Sequence, residues 1–256
     1  STNKDKFGSK CEINEKFINQ LAKIGIIEKA IELNELKNSK DLKKNDGKKQ
    51  NRLKGIPKLE DANWAGTKKA DQCILILTEG DSAKAMAMAG MSIIGRDKYG
   101  VFPLKGKILN VKDSSNIRKL MDNTEINNIK KILGLQTGRK YDKTNINELR
   151  YGSILVLTDQ DEDGSHIKGL LFNLFETLWP SLFNCGGFLT SMLTPVIKIK
   201  KAKQEKSFYS VKDYDKWVKE NDVKGWNMKY YKGLGTSTPK EAKEYFKQLK
   251  MVKYTT

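Results

Sequence analysis

Histidine is nearly missing from these 256 residues: His166 is the only one. A lone imidazole supports no Ser/His/Asp set and stands in no metal-ligand spacing. Cysteine is scarce as well. Cys11, Cys73 and Cys185 are odd in number, scattered and never spaced as CxxC, so neither a zinc site nor a disulfide framework is indicated. Buried, reduced thiols in an intracellular protein are expected. The phosphate-cradling pattern GxxxxGK[ST] is absent. No signal peptide and no apolar run of about 18 residues is present, so no membrane partner is expected. The chain also lacks an initiator Met and begins and ends without obvious punctuation, as a piece excised from something larger would. Hydrophobic residues make up 38%, low for one compact globule, which predicts polar insertions.

Positive charge, by contrast, is abundant. Lys and Arg number 48 against 31 Asp and Glu, a net charge of +17. Such an excess favours a polyanionic partner, nucleic acid first. An AT-rich genome, which inflates Lys and Asn, produces the same excess without such a partner. Along the chain, Ile13, Phe17, Leu21 and Ile24 follow helical spacing, Gly25 interrupts, and Ile27, Ala30 and Ile31 resume, predicting a helix pair over 12–32. The stretch 34–58 carries nine Lys/Arg against three acids and reads as a solvated, mobile basic arm.

Two apolar runs of alike composition come next, about 80 residues apart. Cys73–Thr78 (CILILT) leads into Glu79-Gly80-Asp81-Ser82, and Ser153–Thr158 (SILVLT) into Asp159-Gln160-Asp161-Glu162-Asp163-Gly164. Ile, Leu and Val without polar alternation suit parallel strands covered on both faces. Sites in open α/β sheets form at the carboxyl ends of such strands, where both acidic segments lie. Close carboxylates repel one another and bind protons or hard cations. A turn rich in Asp and Gly is the plainer reading of the second segment alone. A calcium loop is rejected: counted from Asp159, the twelfth position is Leu170, on an apolar helix face, where an EF-hand needs Glu. Glu79 at the end of a buried strand has no local capping reason. Divalent magnesium on such carboxylates serves phosphoryl transfer, and Gly80 and Gly164 would admit a phosphate close to the backbone.

Elsewhere, Ser82–Met91 reads as a helix whose methionines pack a core, Val101–Leu104 as strand or loop, and Asp122–Leu133 as a helix. Ile167, Leu170, Leu171, Leu174, Phe175 and Leu178 mark one face of a helix ending near Trp179-Pro180. Thr194–Ile199 and Phe208–Val211 look like strands, and Pro239–Leu249 a helix with Thr238 as N-cap and Glu241 near its positive end. Two basic, glycine-rich turns, Pro103–Asn110 and Lys229–Thr236, bring cations and aromatics; each alone is also an ordinary surface turn.

Together these segments closely resemble the TOPRIM region of eukaryotic-type DNA topoisomerase II. The resemblance rests on Glu79–Lys84 (EGDSAK), Gly95–Val111 (GRDKYGVFPLKGKILNV), Thr158–Gly169 (TDQDEDGSHIKG) and Tyr230–Phe246 (YYKGLGTSTPKEAKEYF), with Arg52–Ala62 (RLKGIPKLEDA) leading in. It covers nearly the whole chain, least clearly 34–51 and 140–147. The resemblance implies an α/β fold, a Rossmann-like parallel sheet flanked by helices. Its domains are expected as the end of a transducer-like helical region (1–33), a basic arm or linker (34–70), a TOPRIM core (71–200) and the TOPRIM C-terminal part leading toward the DNA-cleavage domain (201–256). It implies catalytic Mg²⁺, with Mn²⁺ or Ca²⁺ as substitutes, on Glu79, Asp159 and Asp161 with Asp163 assisting. Glu79 would also be the general acid–base on the 3′ oxygen. Lys105, Lys107, Asn110, His166, Tyr231 and Lys232 would approach double-stranded DNA. Two departures stand out: the family usually has Arg where this chain has Lys105, and Gln where it has Glu162.

The resemblance also implies what the chain does not carry. In the family a downstream tyrosine cuts DNA and an upstream domain hydrolyses ATP, in a homodimer within the nucleus or another DNA-containing compartment. Tyr254 has no matching context, so no nucleophilic tyrosine is assigned, and the fragment is expected to be inactive alone. Two alternatives remain at this point: a self-sufficient TOPRIM nuclease or primase-like enzyme, disfavoured by the GRDKYGVFPL and KGLGTST segments, and a non-catalytic DNA-binding module, distinguishable by metal dependence.

Overall fold

A computed structural model describes residues 14–112 and 117–254. Cys11 and Ile13, and whatever part they play, lie outside the described residues. The described residues from 14 to Asp41 belong to a unit of their own. In it α1 (Glu15–Lys23) and the body of α2 (Ile26–Lys43) are separated by Gly25, whose φ of +74° supplies the turn expected there. Phe17, Ile24, Ile27 and Ile31 are exposed.

The larger unit is built on a five-stranded sheet of order β2-β1-β3-β4-β8. Its strands are β1 (Ile74–Thr78), β2 (Tyr99–Pro103), β3 (Ser153–Leu157), β4 (Leu189–Met192) and β8 (Met251–Lys253). The first four are parallel, and β8 closes the edge antiparallel to β4. This is the doubly covered parallel sheet that the apolar runs predict. Alternate side chains serve opposite faces. Leu75, Leu77, Ile154 and Val156 pack with α5 (Thr124–Leu133), α6 (Glu162–Leu178) and α7 (Pro180–Phe183). Ile76, Leu155 and Leu157 pack with α3 (Asp81–Ile94) and α9 (Pro239–Lys247). Each such side chain contributes about 1.5–3 kcal/mol by leaving water. Met86 and Met91 are buried on α3, as core packing requires. Leu170 is buried on α6, consistent with the rejection of a calcium loop.

Asn123 caps α5 by accepting from the Ile126 N–H at 2.9 Å, which sets its start just after the short α4 (Ile117–Asp122). Thr238 caps α9 in a reciprocal capping box with Glu241. A separate antiparallel sheet, β6-β5-β7, comprises β5 (Ile197–Lys201), β6 (Gln204–Phe208) and β7 (Asn227–Tyr230). There Phe208 meets Tyr214 and Trp217 of α8 (Val211–Glu220), and Trp217 meets Trp226. β5 starts three residues later than the apolar pattern proposes, and β6 ends at Phe208 where a strand was expected to begin.

The basic stretch 34–58 differs from the expected arm. It is helical to Lys43, and from Leu42 onward it is strapped to the larger unit. Lys130 of α5, itself buried, donates to the Leu42 carbonyl and to Thr137 Oγ1, each at 2.9 Å, and pairs with Asp46 at 2.9 Å. Gly47 donates to Leu135 O, and a side chain at Gly47 would stand 2.3 Å from the Lys130 carbonyl. The fully buried Arg150 reaches Gln50 O at 2.7 Å, Ile132 O at 2.8 Å and Asp61 Oδ2 at 2.5 Å. Buried cations persist when carbonyls and carboxylates surround them. Here the fastening groups come from α5 and from the residues before β3, so local composition does not reveal them.

Close approach of α3 and α9 depends on Gly90, where an added Cβ would lie 2.1 Å from the Phe246 ring. Gly90→Ala is therefore expected to destabilise the protein by about 1–3 kcal/mol through overpacking. Gly169, in the middle of α6 with nothing within 4 Å of its missing Cβ, serves as the control. Gly169→Ala is expected to stabilise by about 0.5–1 kcal/mol. Urea unfolding of both variants checks the pair, and equal effects at the two sites would contradict the packing described.

Candidate metal centre

Strand register brings the two acidic segments together. Thr78 of β1 stands opposite Leu157 of β3, so Glu79 and Asp159 leave the sheet side by side. Glu79 N–H donates to Leu157 O at 3.2 Å, and Asp159 N–H donates to Glu79 Oε2 at 3.1 Å. From β1 the chain returns on one side as β2 and later on the other as β3, so this crevice is a switch point of the sheet. Gly80 turns away with φ +105°, a conformation that glycine adopts without strain, and Thr78 Oγ1 donates to its carbonyl at 3.0 Å.

Asp161 is the N-cap of α6 and accepts from Gly164 N–H at 2.8 Å. Gly164 was expected to make room for a phosphate. The structure gives a nearer cause: a side chain there would stand 2.1 Å from the Asp159 carbonyl, so α6 packs directly on the strand end. Asp163 and Glu162 occupy the first turn of α6, favourable for negative charge.

A third element completes the edge. Gly233 and Leu234 lie over Asp159: Leu234 N–H donates to Oδ1 at 2.7 Å, and a Cβ on Gly233 would meet Oδ2 at 2.4 Å. Burial pushes the Glu79 carboxyl up. The Asp159 N–H opposes that, and the charges of Asp159, Asp161 and Asp163 push it higher still. The exposed Asp163 is held below the usual carboxylate range by its hydrogen bond to Lys107 and by that lysine's charge, at 2.8 Å. Lys168, half-buried on α6, is pushed down by burial while Glu79 and Asp161 pull it up.

The other predicted site residues divide by exposure. Lys105, Lys107, His166 and Lys232 are exposed, and the Lys105 N–H donates to Glu125 at 3.4 Å. Asn110 is half-buried and accepts from Asn173 Nδ2 of α6 at 2.6 Å. Tyr231 is buried and its hydroxyl donates to Glu241 Oε1, so its side chain braces α9 and is not an open donor to a ligand. The Tyr254 hydroxyl shares a hydrogen bond with Ser191 Oγ at 2.7 Å, and its ring lies tilted against Phe172 with centroids 4.3 Å apart. Of the thiols, Cys73 is buried and Cys185 partly so. Sequence reasoning missed Lys168 and the Leu234 N–H. The first lies on the i, i+4 row of Gly164 on α6, a usable signal; a backbone donor carries none.

Among the described residues, no three carboxyl, thiol or imidazole groups stand close enough to cage a cation as they are. The donor chemistry does fit a hard divalent ion. Glu79, Asp159 and Asp161 offer only oxygens, each with one oxygen held by a backbone N–H and its other oxygen without a protein donor among the described residues. Their mutual repulsion, felt at Glu79, is what a bound cation relieves. No helix among the described residues is long and apolar enough to cross a membrane.

Comparison with known proteins agrees with this geometry. The Toprim domain family matches residues 74–190, and the C-terminal associated domain of TOPRIM matches 192–255. DNA topoisomerase 2 of Pisum sativum is 52% identical over 252 residues, 97% of this chain. DNA topoisomerase 2-beta of Homo sapiens is 54% identical over 243 residues, 94% of the chain. The chain spans 17% of the length of the first and 15% of the second. The crystal structure of the Plasmodium falciparum topoisomerase II DNA-binding, cleavage and re-ligation domain superposes with a TM-score of 0.76 at 54% identity. It covers 80% of this chain and 28% of that one.

A carboxyl pushed up by its surroundings binds its proton more tightly folded than unfolded. Ionised Glu79 therefore opposes folding, increasingly as pH rises above its unfolded value of 4.5. In metal-free buffer at neutral pH, Glu79→Gln keeps an acceptor for the Asp159 N–H and removes the repulsion. It is expected to raise Tm by about 1–3 °C. Calorimetry in chelator checks this, and a lower Tm would contradict the repulsion.

Proposed function

Because this chain belongs to the DNA topoisomerase 2 family, as its Toprim region, we propose that it supplies the divalent-cation site at which the whole enzyme breaks and rejoins DNA. The observation that carries the proposal is the meeting of Glu79 and Asp159 at the switch point, beside the Asp161 cap. Glu79, Asp159 and Asp161 would hold Mg²⁺, or Mn²⁺ or Ca²⁺ in its place, with Asp163 adding charge from the first turn of α6. When bound, such an ion neutralises phosphate charge and stabilises the attacking and leaving oxygens.

The chain's own groups account for the rest. Glu79 would also serve as the general acid–base on the 3′ oxygen, donating a proton as that oxygen departs and taking it back on resealing. A tyrosine hydroxyl from another region of the whole enzyme, in the partner subunit, gives up its proton to solvent as it attacks phosphorus. It forms a 5′-phosphotyrosyl bond as the phosphorus–O3′ bond breaks, so the bond energy is kept for religation. Lys105, Lys107, His166 and Lys232 line the exposed approach for double-stranded DNA, with Asn110 and Tyr231 holding the turns behind them. Within a net charge of +17, the lysines among them draw the polyanion to an edge whose carboxylates would otherwise repel it. The whole protein would be a homodimeric, ATP-dependent enzyme that relaxes and decatenates DNA by transient double-strand breakage, in the nucleus or another DNA-containing compartment.

Incubation of the purified chain with supercoiled DNA and Mg²⁺, alone and together with the tyrosine-bearing domain, tests the proposal. Cleavage only in the mixture, with protein trapped on 5′ ends, is expected. Asp161→Asn should reduce it by about 10²-fold or more, as loss of an electrostatic partner of the reacting phosphate does. Cleavage by the chain alone with free ends would instead mean a nuclease.

A further inference from the structure

The carboxylate of Glu241 makes more contacts than a helix start requires. A capping box needs only its reciprocal bonds with Thr238. Those are present: Thr238 N–H and Oγ1–H donate to Oε2 at 2.7 and 3.0 Å, and Glu241 N–H donates to Thr238 Oγ1 at 3.3 Å. Beyond them, Lys229 Nζ donates to both oxygens at 2.9 and 2.8 Å, and the Tyr231 hydroxyl donates to Oε1. Burial pushes this carboxyl up, but the bonds from Lys229, Tyr231 and Thr238 prevail and hold it at about 2.

These partners lie on both sides of one loop. Lys229 and Tyr231 precede it at the end of β7, and Thr238 follows it at the start of α9. Between them, Thr236 and Ser237 N–H groups donate to Gly233 and Leu234 carbonyls at 3.1 Å each, which gives the loop a fixed shape. The tip of that shape delivers the Leu234 N–H to Asp159. Leu234 also buries its side chain against α3, so the loop has a coarse anchor apart from Glu241. A side chain in a core fixes a loop loosely, whereas a hydrogen bond at 2.7 Å depends on alignment within a few tenths of an ångström.

We propose that Glu241 is a positioning residue for the acidic edge: by clasping both ends of the loop 231–238, it sets the Leu234 N–H on Asp159 and so the oxygen that Asp159 leaves for a cation. This rests on the assignment of Asp159 to the metal site.

The ¹⁵N-labelled 256-residue chain tests it through amide exchange at Leu234 and Mg²⁺ titration. Glu241→Gln keeps an acceptor for Thr238 but loses the charge that holds Lys229. We expect Leu234 exchange to accelerate about 10-fold, the order of a lost charged hydrogen bond. Exchange of Ile154 and Leu155 in β3 should stay unchanged, and Mg²⁺ affinity should fall several-fold. Tyr231→Phe, which removes one hydroxyl from the clasp, should act in the same direction and more weakly, and it decides the matter if Glu241→Gln does not fold. Unchanged Leu234 exchange in a folded variant would overturn the proposal. So would loosening confined to the α9 amides, which a capping role alone produces. If the unaltered chain binds no Mg²⁺, the metal assignment fails, while Leu234 exchange still decides whether Glu241 positions the loop.

Discussion

The bond from the Leu234 N–H to Asp159 joins the two halves of this molecule's chemistry. On one side is the parallel sheet, which ends in Glu79 and Asp159. On the other is the segment after β7, which belongs to the C-terminal associated domain of TOPRIM. Asp159 uses its backbone N–H to hold Glu79 and its side chain to hold Leu234. It therefore links strand register, the acidic cluster and the distant loop. Glycine at 164 and 233 is required because main chain from two directions closes on this residue.

Burial first, and then repulsion from Asp159, Asp161 and Asp163, push the Glu79 carboxyl up, so ionised carboxylates at this sheet edge carry a cost. Part of the cost is offset locally: Lys107 takes Asp163, and Lys168 lies within the field of Glu79 and Asp161. Under the proposed function, a bound cation would relieve the remainder. A site that is strained when empty and relieved when filled binds hard ions without a rigid cage, which accords with the open spacing of the acids. Lys105 and Lys232 are exposed beside this edge and, under the proposed function, would meet the polyanion.

The sheet and the acidic edge were legible because their signals are local. Two unbroken apolar runs ending in acids announce buried parallel strands, and Thr238-x-x-Glu241 announces a helix start. The features missed rest on partners far away in sequence. The stretch 34–58 looks like a solvated arm because its own residues are basic and polar. Its fasteners are Lys130 and Arg150, which reach backbone carbonyls at Leu42 and Gln50. The resemblance implies that Tyr231 approaches DNA, and only the fold shows its hydroxyl bonded to Glu241. Asn110 is drawn to Asn173 for the same reason. Polar side chains carry no periodicity that tells inward from outward.

Addition of Mn²⁺ to the ¹⁵N-labelled chain, with the broadening of each amide recorded, tests most directly whether Glu79, Asp159 and Asp161 act as one site. The account predicts that broadening centres on the amides of Gly80, Gln160, Gly164 and Leu234, spares the separate sheet of β5, β6 and β7, and disappears in Asp161→Asn. Broadening spread over the surface acids, or centred elsewhere and indifferent to Asp161→Asn, would contradict it.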